Sequence, residues 1–115
     1  MRYKHVFAVC AYKDSPYLEQ CIRSLKAQTV PSHIIICTST PSSYIDRLAW
    51  KYGLQVCVRQ GESGIKDDWN FAYSMAEGEL VTIAHQDDMY HRDYSARLLA
   101  AHRRYPDMTV LQRTM

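Results

Sequence analysis

Residues 80–90 read LVTIAHQDDMY, and this stretch decides how the rest of the chain is interpreted. It opens with Leu80 to Ala84, a near-continuous apolar run. Such a run is typical of a strand that is buried on both faces of a parallel sheet. The polar segment His85 to Asp88 follows at once. Because ligands of open parallel sheets bind just outside the carboxyl ends of the strands, we expect a ligand site at residues 85–88.

The adjacent carboxylates Asp87 and Asp88 are candidate ligands for a divalent cation and, through it, for phosphate groups. Two like charges this close repel each other, so a bound cation or strong hydrogen-bond donors would favour the ionised pair. Along an extended chain His85 and Asp87 share a side, whereas Asp88 turns away unless the chain bends. The alternative is that an aspartate only caps the next helix. The local pattern leaves both interpretations open.

Composition limits the class of protein and its partners. The chain has 115 residues, enough for one domain, with 47% hydrophobic and 23% charged residues, as in soluble globular proteins. A formal net charge of +2 argues against nucleic acid or an anionic membrane as the main partner. The four cysteines are widely separated and form no CxxC pair, which favours buried free thiols over disulfides or zinc. No segment approaches transmembrane length, and we expect a cytoplasmic location.

Apolar runs and helical spacing alternate along the chain. We predict strands at 5–12, 33–37, 54–59 and 80–84, the third nearer a sheet edge, and the opening of a fifth at 109–111. We predict helices from Ser15 and Pro16 to about Gln28, from about Pro41 to Gly53, from Ile65 to Gly78, and from Tyr94 to Pro106. This order predicts an α/β domain with a Rossmann-like, mostly parallel sheet flanked by helices. Since the chain stops inside an apparent strand, we expect residues 1–115 to be one domain and a fragment of a longer protein.

Polar or aromatic residues follow the other predicted strands as well. Tyr12 could stack on a nucleobase, and Thr38 and Ser39 could hydrogen-bond one; the alternative for residues 38–40 is helix capping. Residues 61–64 lack the spacing of a phosphate-binding loop. Trp69 lies on the apolar side of the third predicted helix, which favours core packing over stacking on a ligand.

Short motifs occur in a fixed order along essentially all 115 residues. They are Val6–Lys13, Tyr17-Leu18, Cys21-Ile22, Ser24-Leu25, Gln28-Thr29, Ile34–Cys37, Gly64, Asn70, Ala76, Gly78-Glu79, His85–Asp88 and Pro106. In this order the sequence resembles the nucleotide-binding half of family 2 glycosyltransferases, which adopt the GT-A fold. It departs from the family at three positions: Thr38-Ser39 replaces an acidic residue, Trp69 an arginine, and His85 the first aspartate of the metal motif.

The resemblance implies an inverting enzyme that transfers a sugar from a nucleotide-diphospho-sugar to a saccharide or lipid-linked acceptor, as in cell-envelope polysaccharide biosynthesis. It implies a divalent cofactor, Mn²⁺ or Mg²⁺, at Asp87 and Asp88, with His85 replacing the first aspartate. Tyr12 and Thr38 would line the base pocket, with Ser39 beside them. The catalytic base would lie outside this chain, so we expect the fragment alone to be inactive. The full-length protein would act at the cytoplasmic face of the membrane.

Two other functions fit the residues. The first is a metal-dependent phosphoester hydrolase that uses His85, Asp87, Asp88 and His91. The second is a non-catalytic α/β binding module in which Asp87 and Asp88 only cap a helix. As a truncated domain, the chain would expose apolar surface where the missing half would pack, and we expect self-association.

Overall fold

The computed structural model describes residues 3–106. Strands and helices alternate strictly along this part of the chain. The strands are β1 (Tyr3–Ala11), β2 (His33–Thr38), β3 (Gln55–Val58) and β4 (Gly78–His85). The helices are α1 (Leu18–Lys26), α2 (Ser43–Tyr52), α3 (Ile65–Met75) and α4 (Tyr94–Arg104). The predicted fifth strand at 109–111 lies outside the described residues. Within residues 3–106 no helix is long and apolar enough to cross a membrane.

The four strands form one parallel sheet in the order β3-β2-β1-β4. This confirms the predicted α/β fold and the position of β3 at a sheet edge. Because all pairings are parallel, the four carboxyl ends lie along the same edge of the sheet. The polar residues that follow β1, β2 and β4 therefore come together there, as expected for a ligand-binding edge.

The sheet is covered on both faces, and β1 contributes to both. Phe7 and Val9 pack with α1, α2 and the start of α4 on one face. Val6 and Ala8 pack on the opposite face, where Ala72 is the buried residue of α3. The alternation follows from the two-residue period of a strand, and it explains why β1 reads as a continuous apolar run.

The prediction that β4 is buried on both faces is wrong. Thr82 and Ala84 are fully buried, but Val81 and Ile83, on the α3 side, are only half-buried. The physical reason is that β4 is an edge strand of the described sheet, and α3 covers that edge only in part.

Two predicted helix boundaries need correction. The first helix begins at Leu18 and not at Pro16; the Ser15 hydroxyl accepts from the Tyr17 N–H in the turn that precedes it. Gly78 does not end α3, because it is the first residue of β4. A Cβ atom there would lie 2.8 Å from the Leu80 carbonyl oxygen and 2.9 Å from Val6 Cγ2, so close packing of the strand start requires glycine.

Gln28 connects α1 to α4 and is 6% exposed. Its Nε2 donates to the carbonyl oxygens of Ser24 at 3.1 Å and His91 at 2.8 Å. Its Oε1 accepts from the Ser95 N–H at 2.8 Å, which satisfies one of the free N–H groups in the first turn of α4. The glutamine of the Gln28-Thr29 motif is therefore a structural residue that fixes where α4 begins.

His5 lies in a buried polar network under α4. One ring nitrogen is 2.7 Å from the Ser32 hydroxyl, and the other is 2.7 Å from the Thr82 hydroxyl. Ser32 in turn donates to the Ser95 hydroxyl at 3.0 Å. Burial lowers the pKa of His5 from 6.5 to about 4, so the ring is neutral at physiological pH.

Candidate functional site

A cleft of about 600 Å³ opens at the carboxyl edge of the sheet. It lies between the ends of β1 and β4, the segment before α1, and the loop that leads into α3. The residues that line it are Cys10, Ala11, Tyr12, Ser15, Pro16, Tyr17, Cys37, Ser63, Gly64, Ile65, Asp68, Trp69, His85, Gln86 and Asp87. The volume is within the range of small-molecule sites, which is about 300–1,000 Å³.

Three of the predicted site residues meet in this cleft. Tyr12 follows β1 and is 47% exposed, His85 ends β4, and the exposed Asp87 follows two residues later. The chain bends after β4, because the Asp88 N–H donates to the His85 carbonyl at 3.1 Å. Asp87 thereby lines the cleft while the half-buried Asp88 does not.

Thr38 and Ser39 do not line the cleft. Thr38 is buried, and its hydroxyl accepts from the Thr40 N–H at 2.9 Å. Ser39 is half-buried, and its hydroxyl lies 2.8 Å from that of Ser63 in the loop before α3. Both residues therefore lie behind the cleft surface and support it.

The capping alternatives are wrong for both polar segments. The N-cap of α2 is Ser42, whose hydroxyl accepts from the Ile45 N–H at 3.2 Å. Asp87 and Asp88 cap no helix, since α4 begins at Tyr94 with Asp93 in the N-cap position. Helix capping therefore does not explain the polar residues that directly follow β2 and β4.

Thr40 instead holds the loop that follows β1. Its hydroxyl accepts from the Lys13 N–H at 2.6 Å. Lys13 has a φ of 54°, in the left-handed region that a residue with a side chain adopts only when its surroundings fix it. The hydrogen bond from Lys13 therefore helps to hold the chain directly after Tyr12.

Gln86 is a site residue that the sequence did not reveal. Its amide Oε1 accepts from the Tyr12 N–H at 3.0 Å, and its Nε2 donates to the Tyr12 carbonyl at 3.1 Å. In the sequence, the position of Gln86 directly after β4 was its one indication of a role. That position indicates a contact with Tyr12 only when β1 is known to lie beside β4.

Trp69 does not pack in the core, contrary to the prediction. It is 40% exposed, lines the cleft, and its ring centroid is 4.9 Å from that of His85 at an interplanar angle of 59°. The physical reason lies in α3, whose buried residue is the small Ala72. One turn earlier the helix has reached the end of the sheet, and the large indole lies over the strand ends.

An ion pair that the sequence did not reveal fixes the loop between β3 and α3. Asp68 Oδ1 accepts from Arg59 Nε at 2.9 Å, and Oδ2 accepts from the Ser39 hydroxyl at 3.2 Å and the Gly64 N–H at 3.3 Å. Arg59 also donates to the carbonyl oxygens of Gln60, at 3.3 Å, and Glu62. The three hydrogen-bond partners of Asp68 come from three segments: Arg59 directly follows β3, Ser39 directly follows β2, and Gly64 directly precedes α3.

A lateral row of residues crosses the sheet beneath the cleft. His85 is in register with Cys10, Cys10 with Cys37, and Cys37 with Cys57. Burial, with a smaller contribution from the Asp68 charge, raises the pKa of Cys10 to about 12, and burial raises the pKa of Cys37. The thiols that line the cleft are therefore uncharged at neutral pH. All four cysteines are free in the structure.

The cleft offers few protein ligands for a divalent cation. Across residues 3–106 no group of three or more histidine, cysteine, aspartate or glutamate side chains could hold a metal ion. His91 lies outside the cleft and is 3.8 Å from the Asp93 carboxylate, so the four ligands of the hydrolase alternative do not converge. Mg²⁺ in nucleotide sites needs only one or two protein carboxylates, because the phosphates supply other ligands. Asp87 fits that smaller requirement.

Solved structures with a similar fold include two of TarS and one of a mannosyltransferase. Residues 1–349 of TarS from S. aureus superpose with a TM-score of 0.76 at 19% identity, covering 96% of this chain and 38% of that one. A longer TarS structure superposes with a TM-score of 0.79 at 19% identity, and the match covers 97% of this chain and 24% of that one. The mannosyltransferase PcManGT from Pyrobaculum calidifontis, in complex with GDP-Man and Mn²⁺, superposes with a TM-score of 0.69 at 19% identity. The match covers 86% of this chain and 32% of that one. At this identity the likeness shows the fold alone, and this chain spans less than half of each of those proteins.

Among curated proteins no significant match was found. The family comparison is more specific than the structural one, because it covers residues 6–115, almost the whole chain. It includes the end of β1 with Tyr12, the α3 segment and the residues that follow β4. The match confirms the resemblance seen in the ordered motifs. The chain belongs to glycosyl transferase family 2.

Proposed function

We propose that this chain is the donor-binding part of an inverting glycosyltransferase that transfers a sugar from a nucleotide-diphospho-sugar to an acceptor hydroxyl. One observation carries the proposal: Tyr12, His85 and Asp87 line a single cleft at the carboxyl edge of the sheet, in a chain of this family. An aromatic ring, an imidazole and a carboxylate are the groups expected to contact a base, a sugar hydroxyl and a metal-bound diphosphate.

Asp87 is the residue that would hold Mn²⁺ or Mg²⁺, with Asp88 as the second candidate and the donor phosphates as further ligands. When bound, the cation stabilises the negative charge that develops on the departing diphosphate. His85 suits a donor contact better than a Mg²⁺ contact, because imidazole prefers transition metals. The complex of PcManGT with GDP-Man and Mn²⁺ supports this assignment by analogy of fold.

The catalytic base of the transfer is proposed to lie outside this chain. An inverting transfer needs a carboxylate to deprotonate the acceptor hydroxyl. Within the cleft, Asp68 is already paired with Arg59, and Asp87 is assigned to the metal. We therefore propose that this chain alone binds the donor without transferring it, and that a saccharide or lipid-linked acceptor binds elsewhere.

Two further parts of the proposal concern the cellular location of the protein and its association state. The four free cysteines support a reducing, cytoplasmic location, with the full-length protein at the cytoplasmic face of the membrane. Ile65 and Tyr73 on α3 are 75% and 67% exposed, and this apolar surface supports self-association of the isolated chain. A purely monomeric sedimentation profile at high concentration would contradict the second part.

Thermal stability with UDP, GDP, CDP or dTDP, each with Mn²⁺ or with EDTA, tests the central proposal. A ligand that binds only the folded state raises the melting temperature; at a hundred times its Kd it adds about 2.7 kcal/mol. We expect a Mn²⁺-dependent rise with at least one nucleotide, which Asp87→Asn abolishes. Asp67→Asn is the matched control, because Asp67 is exposed in the first turn of α3 and does not line the cleft. No rise with any nucleotide would contradict a donor site in this chain.

A further inference from the structure

The His85 side chain is held in the cleft by packing. Its ring is half-buried, and across residues 3–106 neither ring nitrogen has a hydrogen-bond partner. The ring contact that His85 does make is with Trp69, whose ring centroid lies 4.9 Å away at an interplanar angle of 59°. Both residues line the cleft. The two nitrogens of the imidazole are therefore available to hydrogen-bond a ligand there.

The backbone of His85 is fixed from the opposite face of the sheet. The buried Cys21 thiol of α1 donates to the His85 carbonyl oxygen at 3.3 Å, and the Asp88 N–H donates to the same oxygen at 3.1 Å. His85 is also in register with Cys10 of β1. These contacts fix the point at which the side chain leaves β4. The two torsions of the side chain itself depend on what the ring packs against, which is the indole of Trp69.

The position of Trp69 is set by the start of α3. The residue before it, Asp68, bonds Arg59 Nε at 2.9 Å, the Ser39 hydroxyl at 3.2 Å and the Gly64 N–H at 3.3 Å. These bonds connect the first turn of α3 to the segments that follow β2 and β3. The indole is thereby held over the end of β4 by the protein itself, without a ligand.

We propose that Trp69 is a positioning residue, whose indole holds the His85 imidazole in the orientation that hydrogen-bonds a sugar hydroxyl of the donor. The inference rests on the proposed function, because it requires a donor in the cleft. A side chain that becomes ordered only when the ligand binds weakens the affinity, roughly 2- to 12-fold for one side chain. An imidazole that is already ordered avoids this loss. Trp69 therefore acts through His85.

The order of the His85 ring can be measured without any ligand. The chain has five histidines, and loss of a signal in His85→Ala identifies the His85 ring in a histidine-labelled sample. By NMR relaxation we expect a high order parameter for this ring in the unchanged chain and a lower one in Trp69→Ala. Trp69→Phe should retain most of the order, because a smaller aromatic ring still packs on the imidazole. Tyr73→Ala removes an exposed aromatic of α3 that does not line the cleft, and it should retain all of it.

Calorimetry measures whether the donor uses this order. The ligands are UDP, GDP, CDP, dTDP, UDP-glucose and GDP-mannose, each with Mn²⁺. For a ligand that binds, Trp69→Ala should weaken the affinity roughly 2- to 12-fold. In a chain that already carries His85→Ala, the same change should have no further effect, because the residue that Trp69 positions is gone. Tyr12→Ala is the control partner: its effect should add to that of Trp69→Ala, since Gln86 and not Trp69 bonds the Tyr12 backbone.

The choice of ligand shows which hydroxyl His85 contacts. Coupling between Trp69 and His85 with a nucleoside diphosphate alone would assign the contact to the ribose, and coupling only with UDP-glucose or GDP-mannose would assign it to the transferred sugar. Either result supports the inference. Trp69→Phe, with the smaller change in volume, repeats the comparison if the melting temperature shows that Trp69→Ala is poorly folded.

Three results would overturn the inference. An equal loss of affinity from Trp69→Ala with and without His85 would mean that the indole acts on the ligand directly. An unchanged order parameter in Trp69→Ala would mean that other contacts hold the ring. Both would leave the proposed function intact. Failure of the unchanged chain to bind any of these nucleotides would overturn the proposed function and, with it, this inference.

Discussion

The side-chain amide of Gln86 bonds both backbone groups of Tyr12, at 3.0 Å to its N–H and 3.1 Å to its carbonyl oxygen. The regular pairing of β1 with β4 ends at Cys10 and His85. Just beyond this pair, the Gln86 side-chain amide makes the two hydrogen bonds to Tyr12 that a backbone peptide of β4 would otherwise make. Tyr12 is thereby fixed beside Asp87 although it lies outside the strand. This pair of hydrogen bonds fixes the Tyr12 backbone, from which the aromatic ring projects into the cleft that Asp87 also lines.

Gln86→Leu should weaken nucleotide binding about tenfold, because each lost hydrogen bond contributes about 0.5–1.5 kcal/mol to holding Tyr12. The melting temperature should change little, since the two bonds are at the surface. Gln20→Leu, on the exposed side of α1, is the control. Titration calorimetry with the nucleotide that stabilises the chain measures the effect, and unaltered affinity would show that the Tyr12 backbone needs no such support.

The sequence predicted the strands because their apolar runs follow directly from burial between two helical layers. It predicted β3 nearer an edge because residues 54–59 form a short and less apolar run, and in the structure Gln55 and Val58 are exposed. It did not predict Gln86, Arg59 or Trp69 as site residues. Their roles depend on which element lies beside them, and Trp69 has the helical spacing of a core residue. Local pattern contains no information about where a helix passes beyond the end of a sheet.

Gly78→Ala should destabilise the fold by about 1–3 kcal/mol, the usual cost of overpacking. The added methyl group would lie 2.8 Å from the Leu80 carbonyl oxygen, which belongs to the same strand and cannot easily move. Gly64→Ala is the matched control, because a Cβ there meets nothing within 4 Å. Urea denaturation compares the two variants. Equal free energies of unfolding would mean that the start of β4 can shift to accept a side chain.

Gln28→Ala should lower the free energy of unfolding by roughly 1–3 kcal/mol, since it leaves buried backbone groups without partners. The affected groups are the carbonyl oxygens of Ser24 and His91 and the N–H of Ser95. Gln20→Ala changes the same residue type at an exposed position of α1 and should be nearly neutral. If the two variants proved equally stable in urea, Gln28 would not be what connects α1 to α4.

Asp68→Asn should loosen the loop that precedes α3, because the ion pair to Arg59 and the charge-assisted bond from the Gly64 N–H weaken together. Hydrogen exchange of the Gly64 amide should become faster, and Asp67→Asn should leave it unchanged. The same variant should lower the pKa of Cys10, since the Asp68 charge contributes to raising it. Unchanged Gly64 exchange would indicate that Arg59 alone orders the loop through the carbonyl oxygens.

Acid should destabilise the fold through His5. The pKa of His5 is about 4 in the folded state, against 6.5 for the unfolded chain. Between pH 4 and pH 6.5 the unfolded chain therefore binds a proton that the folded chain does not. Stability is therefore fully present above pH 6.5 and is lost as the pH falls toward 4, by roughly 2 kcal/mol between pH 7.5 and 5. The side chains that contact the ring, Ser32, Thr82, Phe7 and Tyr94, are uncharged and offer the protonated form no compensating charge.

Urea denaturation between pH 7.5 and 5 measures this slope. In His5→Gln it should largely disappear, although the variant is less stable at pH 7.5 because the buried network is altered. His91→Gln, which replaces an exposed histidine, should keep the slope of the unchanged chain. A slope that persisted in His5→Gln would mean that another group takes up the proton on unfolding, and that the buried position of His5 does not control the acid sensitivity of the domain.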